Sequence, residues 1–189
     1  VKGGIMSTVL SIAVVTGNPK PASRTLGVAT AVARALAGGL GGAGDGPLVV
    51  DLAEHAASLF DPGAAELSEL VRQVAASDVL VAASPTYKAS YTGMLKAFFD
   101  RYGNNGLAGV TAVPVMTGAW AGHLLAAEVH LRPLLVELGA SVPTRALYVT
   151  EPQLPDLDAV VAAWAETALP QLRQTLNQTS PAQEPAPGS

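Results

Sequence analysis

The stretch DVLVAASPTYKASYTGMLKAFFDRYG, residues 78–103, decides the fold. It opens on an apolar run with little polar alternation, and a strand of that kind is covered on both faces, as in a parallel sheet with helices on either side. Pro85 then stiffens the exit, Tyr87 and Tyr91 offer flat faces, and Thr92-Gly93 introduces a helical repeat of Leu95, Phe98, Phe99 and Tyr102. Strand, rigid turn and helix in direct succession are the unit from which α/β sheets are built. Phe98 and Phe99 share an apolar face with Leu95, which assigns them to core packing or a dimer interface and gives them no catalytic role.

The same unit recurs on both sides of this stretch. TVLSIAVV (8–15), PLVVDL (47–52), GVTAVPVMT (109–117) and SVPTRALYV (141–149) are strand-length runs rich in Val, Ile or Leu. Between them lie helical patterns: Val28, Val32 and Leu36; Leu67, Leu70, Val71 and Val74; and Leu124, Ala127, Leu131, Leu134 and Leu138. A fifth helix is expected from Pro155 toward Leu176. Five strands alternating with five helices predict a doubly wound α/β sheet. GGLGGAGDG (38–46) is read as the loop ending the first helix, residues 1–177 as a single domain, and the proline-rich residues 178–189 as a disordered tail.

Composition narrows the function classes. Of 189 residues, 49% are hydrophobic and 14% charged, enough apolar material for one large core. Eleven basic against 15 acidic residues give a formal charge of −4, and no Lys/Arg cluster is present to neutralise the phosphates of a nucleic acid. Cysteine is absent, which removes disulfides, thiolate metal sites and thiol catalysis. No apolar stretch reaches the ~20 residues of a membrane span. VKGGIMSTVL reads as a ragged start without the apolar segment of a leader, and the expectation is a soluble cytoplasmic protein.

In an open parallel sheet, ligands bind beyond the carboxyl ends of the strands, so the residues following each strand carry the functional information. After the first comes Gly17-Asn18-Pro19-Lys20-Pro21-Ala22-Ser23-Arg24-Thr25. Free amides at a helix start, the hydroxyls of Ser23 and Thr25, and the charges of Lys20 and Arg24 would make a site for a phosphate monoester. The same residues also read as an ordinary loop with Ser23 as helix cap. They match neither the G-x-x-x-x-G-K-[ST] phosphate loop nor the G-x-G-x-x-G dinucleotide fingerprint. The turn Pro85-Thr86-Tyr87-Lys88 can line the edge of a planar ring with its backbone groups, and the small residues Thr117, Gly118 and Ala119 let backbone approach a ligand closely. Trp120 is either a lid or interface residue or a packing aromatic. His123 and His130 lack the cysteines or acidic neighbours of a metal site and are read as non-ligands. Pro133 cannot donate to the carbonyl of Val129, so a kink or π-bulge is expected there. No Ser-His-Asp order or carboxylate pair stands out, which points to chemistry carried by a bound cofactor.

Together these motifs resemble the NAD(P)H-dependent FMN reductase family of flavodoxin-like proteins. TGNPKPASRT (16–25) matches its flavin phosphate loop, and SPTYKASYTGMLKAFFD (84–100) matches its P-x-Y-x-x-x-x-x-G-x-L-K-x-x-x-D block through Pro85, Tyr87, Gly93, Leu95, Lys96 and Asp100. TGAWAGHLLAAEVHLRPLLVELGA (117–140) is similar to the branch that supplies reduced FMN to two-component alkanesulfonate and methanesulfonate monooxygenases, with Ala119 in place of a second glycine and Asn18 in place of the loop serine.

The resemblance implies a five-stranded sheet of order 2-1-3-4-5 and hydride transfer from NADPH or NADH to FMN without a catalytic side chain. It implies that Gly17, Asn18, Lys20, Ser23, Arg24 and Thr25 hold the FMN phosphate. Pro85, Thr86, Tyr87, Lys88, Thr117, Gly118 and Ala119 would hold the ring, with Lys88 or backbone donors near the pyrimidine edge. It further implies a homodimer or homotetramer, a π-helical residue at Val129 or His130 associated with flavin release, and a flavin-dependent monooxygenase as partner. The alternatives are a quinone or azo reductase that retains its FMN, and a flavin-binding module without turnover.

Overall fold

A computed structural model of the chain describes residues 10–42, 44 and 46–179. Five parallel strands, β1 (Ile12–Thr16), β2 (Leu48–Asp51), β3 (Val79–Pro85), β4 (Thr111–Gly118) and β5 (Leu147–Thr150), form one sheet of order β2-β1-β3-β4-β5. Every residue of β1 and β3 is buried, as the unalternating apolar runs require of central strands covered twice.

Side chains alternate between two cores. Ala13, Val15, Leu80, Ala82, Ala112 and Met116 face one side, which is closed by α2 (Ala65–Ala75), α3 (Gly93–Phe99) and α4 (Arg132–Glu137). Ile12, Val14, Val79, Val81, Val113 and Val115 face the other, under α1 (Arg24–Leu40) and α5 (Leu157–Thr179). Phe98 and Phe99 are fully buried in the first core, their rings edge-on at 5.8 Å. Burial raises the pKa of neighbouring Tyr102, whose hydroxyl donates to the carbonyl of Val71 at 3.1 Å. Leu95, Phe98 and Phe99 of this face are therefore core, with Tyr102 partly buried against them.

Several boundaries differ from the sequence expectation, each for a physical reason. α1 continues through Gly38 and Gly39 and stops at Gly41, where φ is +75°. α5 crosses closely at Gly39, where a Cβ would lie 2.5 Å from the terminal methyls of Leu169 and would have to push that side chain aside. β5 starts at Leu147, not Ser141: Ser141 makes a single bridge to Thr111, and Pro143 then removes a ladder donor. α5 carries Gln178 and Thr179 beyond the expected boundary at 177. The rest of the tail, and residues 8 and 9 of the first expected strand, lie outside the described residues.

The irregularity expected from Pro133 is present. Residues Ala127–Leu131 form a π-helical turn in which the Arg132 amide donates five residues back to Ala127, immediately before the proline that has no amide to give. Glu128 and Arg132 lock this turn to the segment leading into β5. Glu128 accepts from Arg132 Nε at 2.5 Å and from the Ala146 amide at 2.7 Å, while Arg132 donates to the carbonyls of Val142, at 2.6 Å, and Thr144. Burial works against the Glu128 charge, but the hydrogen bonds from Arg132 and Ala146 and the charges of Arg132 and Arg145 prevail, holding its carboxyl below the usual range. Ala127 and Leu131 of this turn are buried, while Leu124, expected on the inner face, is 49% exposed.

Candidate functional site

The chain order reverses between β1 and β3, and the crevice beyond their carboxyl ends is where a doubly wound sheet binds ligands. Gly17 leaves β1 so close to α3 that a Cβ would lie 2.4 Å from that of Leu95. The amide of Gly17 donates to Ala83 at 2.9 Å, and its carbonyl accepts the Thr92 hydroxyl at 2.5 Å. Thr92 caps α3 through the Leu95 amide and donates its own amide to Ser84 Oγ, so one residue fastens the exits of β1 and β3 together.

The loop from Asn18 to Thr25 is knit by short polar side chains. Asn18 Oδ1 accepts the Lys20 amide at 2.9 Å, its Nδ2 donates to Thr25 Oγ1 at 3.2 Å, and Thr25 shares a 2.8 Å hydroxyl bond with Thr117 on β4. Ala22 adopts φ +49°, a conformation unusual for a residue with a side chain, and its amide is held at 3.0 Å by Asp51 at the end of β2. Ser23 caps α1 by accepting from Leu26 at 3.2 Å. The amides of Arg24 and Thr25 have no acceptor among the described residues, and both residues line the crevice beside the Ser23 cap. Arg24 reaches across to Glu151, following β5, at 2.7 Å.

The opposite wall is backbone. Thr86 donates its amide to Thr117 at 2.7 Å and its hydroxyl to Tyr148 at 3.2 Å. Beside it, a Cβ on Gly118 would stand 1.9 Å from that same tyrosine oxygen, so a side chain there would displace the Tyr148 hydroxyl. Tyr87 and Ser90 exchange hydrogen bonds of 2.9 and 3.1 Å across a two-residue turn whose central residues, Lys88 and Ala89, both have positive φ, +52° and +65°.

These elements enclose a cleft of about 490 Å³, a volume typical of small-molecule sites. Asn18, Lys20, Ser23, Arg24 and Thr25 line one end; Pro85, Thr86, Tyr87, Thr117, Gly118 and Ala119 line the other. Gly17 and Lys88 stand outside the lining: Gly17 lies behind the loop against α3, and Lys88 sits at the tip of its turn. Ala22, Val149, Glu151 and Leu154 complete the wall. Asp51 and Glu151 escaped the sequence reading, although the rule of looking past strand ends applies equally to β2 and β5. Tyr148, inside a buried strand, carried no such signal.

The two departures in the motifs are absorbed. Asn18 satisfies both ends of its amide within the loop, and Ala119 needs no positive φ. His123 and His130 line a separate hollow, and the described residues contain no group of three His, Cys, Asp or Glu able to hold a metal ion. Trp120 is 64% exposed and stacks edge-on against His123 at 5.8 Å.

A doubly wound sheet of this strand order, with a cleft at the switch point joining a helix start with unmatched amides to a peptide-lined slot, defines a flavodoxin-like cofactor-binding protein. Residues 10–153 match the model of the NADPH-dependent FMN reductase family, and the chain belongs to that family. It is 32% identical over 165 residues to the NADH-dependent FMN reductase SfnE of Pseudomonas putida, covering 85% of this chain and 87% of that one. It is 33% identical over 90 residues to the FMN reductase (NADPH) of Escherichia coli strain K12, an alignment spanning 48% of this chain and only 47% of the relative. Among solved structures, the apo form of the NADH:FMN oxidoreductase EMOB superposes with a TM-score of 0.70 at 28% identity, over 95% of this chain and 92% of that chain.

Proposed function

We propose that the protein reduces FMN at the expense of NADPH or NADH and releases the reduced flavin to a separate flavin-dependent monooxygenase. The observation that carries this reading is the junction of the two unmatched amides of Arg24 and Thr25 with the peptide wall at Gly118, in one cleft. Bound FMN supplies the ring that accepts hydride from the nicotinamide. The chain supplies position. Arg24, Thr25, Ser23 and Lys20 anchor the phosphate by amide, hydroxyl and charge. The backbone at Pro85–Tyr87 and Thr117–Ala119 receives the ring edge. Gly17 acts from behind the loop by fixing its path. No side chain of the cleft is required as acid or base, since holding two rings face to face supplies most of the rate.

The exposed apolar residues Trp120, Leu124, Leu125, Val129 and Val136 lie on and beside the π-helical turn, and they support assembly into a homodimer or homotetramer through that face. No described helix is long and apolar enough to cross a membrane.

The deciding experiment follows NADH and NADPH oxidation with and without added FMN. Turnover that saturates in free FMN, with reduced flavin leaving the protein, is the expected result. Copurified flavin, no stimulation by free FMN and turnover only with a quinone or azo acceptor would replace this reading with that of a flavin-retaining reductase.

A further inference from the structure

The cleft contains an anion of its own. Arg24, the first residue of α1, and Glu151, the first residue beyond β5, are 127 positions apart and are bridged by the 2.7 Å bond from Nη2 to Oε1. Both line the cleft. Glu151 is set on a firm base: Thr150 donates both its amide and its hydroxyl to Gln153 Oε1, at 2.9 and 2.8 Å, and Pro152 stiffens the turn between them. Its carboxylate therefore occupies the guanidinium that a phosphate at the start of α1 would use. Lys20, the other cation in the lining, has no ion-pair partner among the described residues.

We infer that Glu151 is a resident counter-anion that sets how tightly the site holds a phosphorylated flavin. The inference rests on the reading of this cleft as the FMN phosphate site. A phosphate dianion arriving at the amides of Arg24 and Thr25 must take Arg24 from Glu151 or share it, and in either case meets the uncompensated carboxylate nearby. The exchange is feasible because both partners are largely in solvent, with side chains 67% and 49% exposed; such pairs are weak, whereas a guanidinium fork on phosphate is strong. Glu151 thus lowers affinity for FMN and leaves dephosphorylated flavin largely untouched. A protein that hands its flavin on is served by such a weakening at the phosphate end.

The test titrates wild type, Glu151→Gln, Glu151→Ser and Arg24→Ala with FMN and with riboflavin, following quenching of flavin fluorescence, and measures FMN dissociation by stopped flow. Removing one negative charge at this range should raise the ratio of FMN to riboflavin affinity about threefold to tenfold in both Glu151 variants and slow FMN dissociation. Inorganic phosphate should compete with FMN more effectively in those variants than in wild type. A ratio unchanged or lowered in the Glu151 variants, together with a ratio lowered by Arg24→Ala, overturns the counter-anion role and makes Glu151 a positioning residue for Arg24. A ratio that Arg24→Ala leaves unchanged overturns the phosphate-site reading itself.

Discussion

The loop at residues 17–25, which lines the cleft, and the turn at residues 127–131, which lies outside that lining, are built on opposite principles. The loop is held from within by short side chains: Asn18, Thr25, Ser23 and, from β2, Asp51 each satisfy a backbone or hydroxyl partner inside the cleft. The π-helical turn is held from outside by the long side chains of Glu128 and Arg132 reaching to residues 142–146, and it exposes Val129 to solvent. Short side chains place few rotatable bonds between the groups they join, whereas long ones place several and lose more rotamer freedom when they are ordered.

The largest expected effect breaks the loop region. Gly17→Ala forces a Cβ against the backbone and Cβ of Leu95, and overpacking of that kind should cost about 3 kcal/mol of unfolding free energy, read by urea denaturation. Arg24→Ala should leave the fold intact and weaken FMN by about 1.5 to 3 kcal/mol relative to riboflavin, since a charge-assisted bond to phosphate is lost. An equal loss for both flavins would remove the phosphate from the loop.

The second region is sharpened by pH. The Glu128 carboxyl is held below its unfolded value, so the stability it contributes is fully present above the unfolded carboxylate range and is lost as pH falls through the lower folded value. Glu128→Gln should therefore be less stable than wild type by about 1 kcal/mol at pH 7, with the gap closing in denaturation curves taken toward pH 3. A gap that stays constant with pH would assign the effect to packing. The smallest effect concerns the turn between the regions: Ala89→Gly should stabilise by roughly 0.5 to 1 kcal/mol, because φ +65° is costly for alanine and free for glycine. If the thermal midpoint falls instead, the methyl group is packing against something that matters more than the strain.

The sheet was readable because β1 and β3 are buried twice and say so in unbroken apolar runs. The cleft was largely readable because Asn18 to Thr25, Pro85 to Tyr87 and Thr117 to Ala119 follow strand ends directly. Pro133 announced a helical defect, since a missing amide is written in the residue type itself. What escaped was information that exists only across the fold. The pairing of Arg24 with Glu151 and the seat of the Tyr148 hydroxyl beneath Gly118 arise when β5 arrives beside β4, and neither spacing nor residue type encodes it.

The Thr92 clasp has a consequence for motion. Because it joins the exits of β1 and β3 through Gly17, separating them means opening the central pair of the sheet and wetting its core, an event on the scale of global unfolding. In amide hydrogen exchange, the Gly17 proton, donated to Ala83, should belong to the slowest class in the protein.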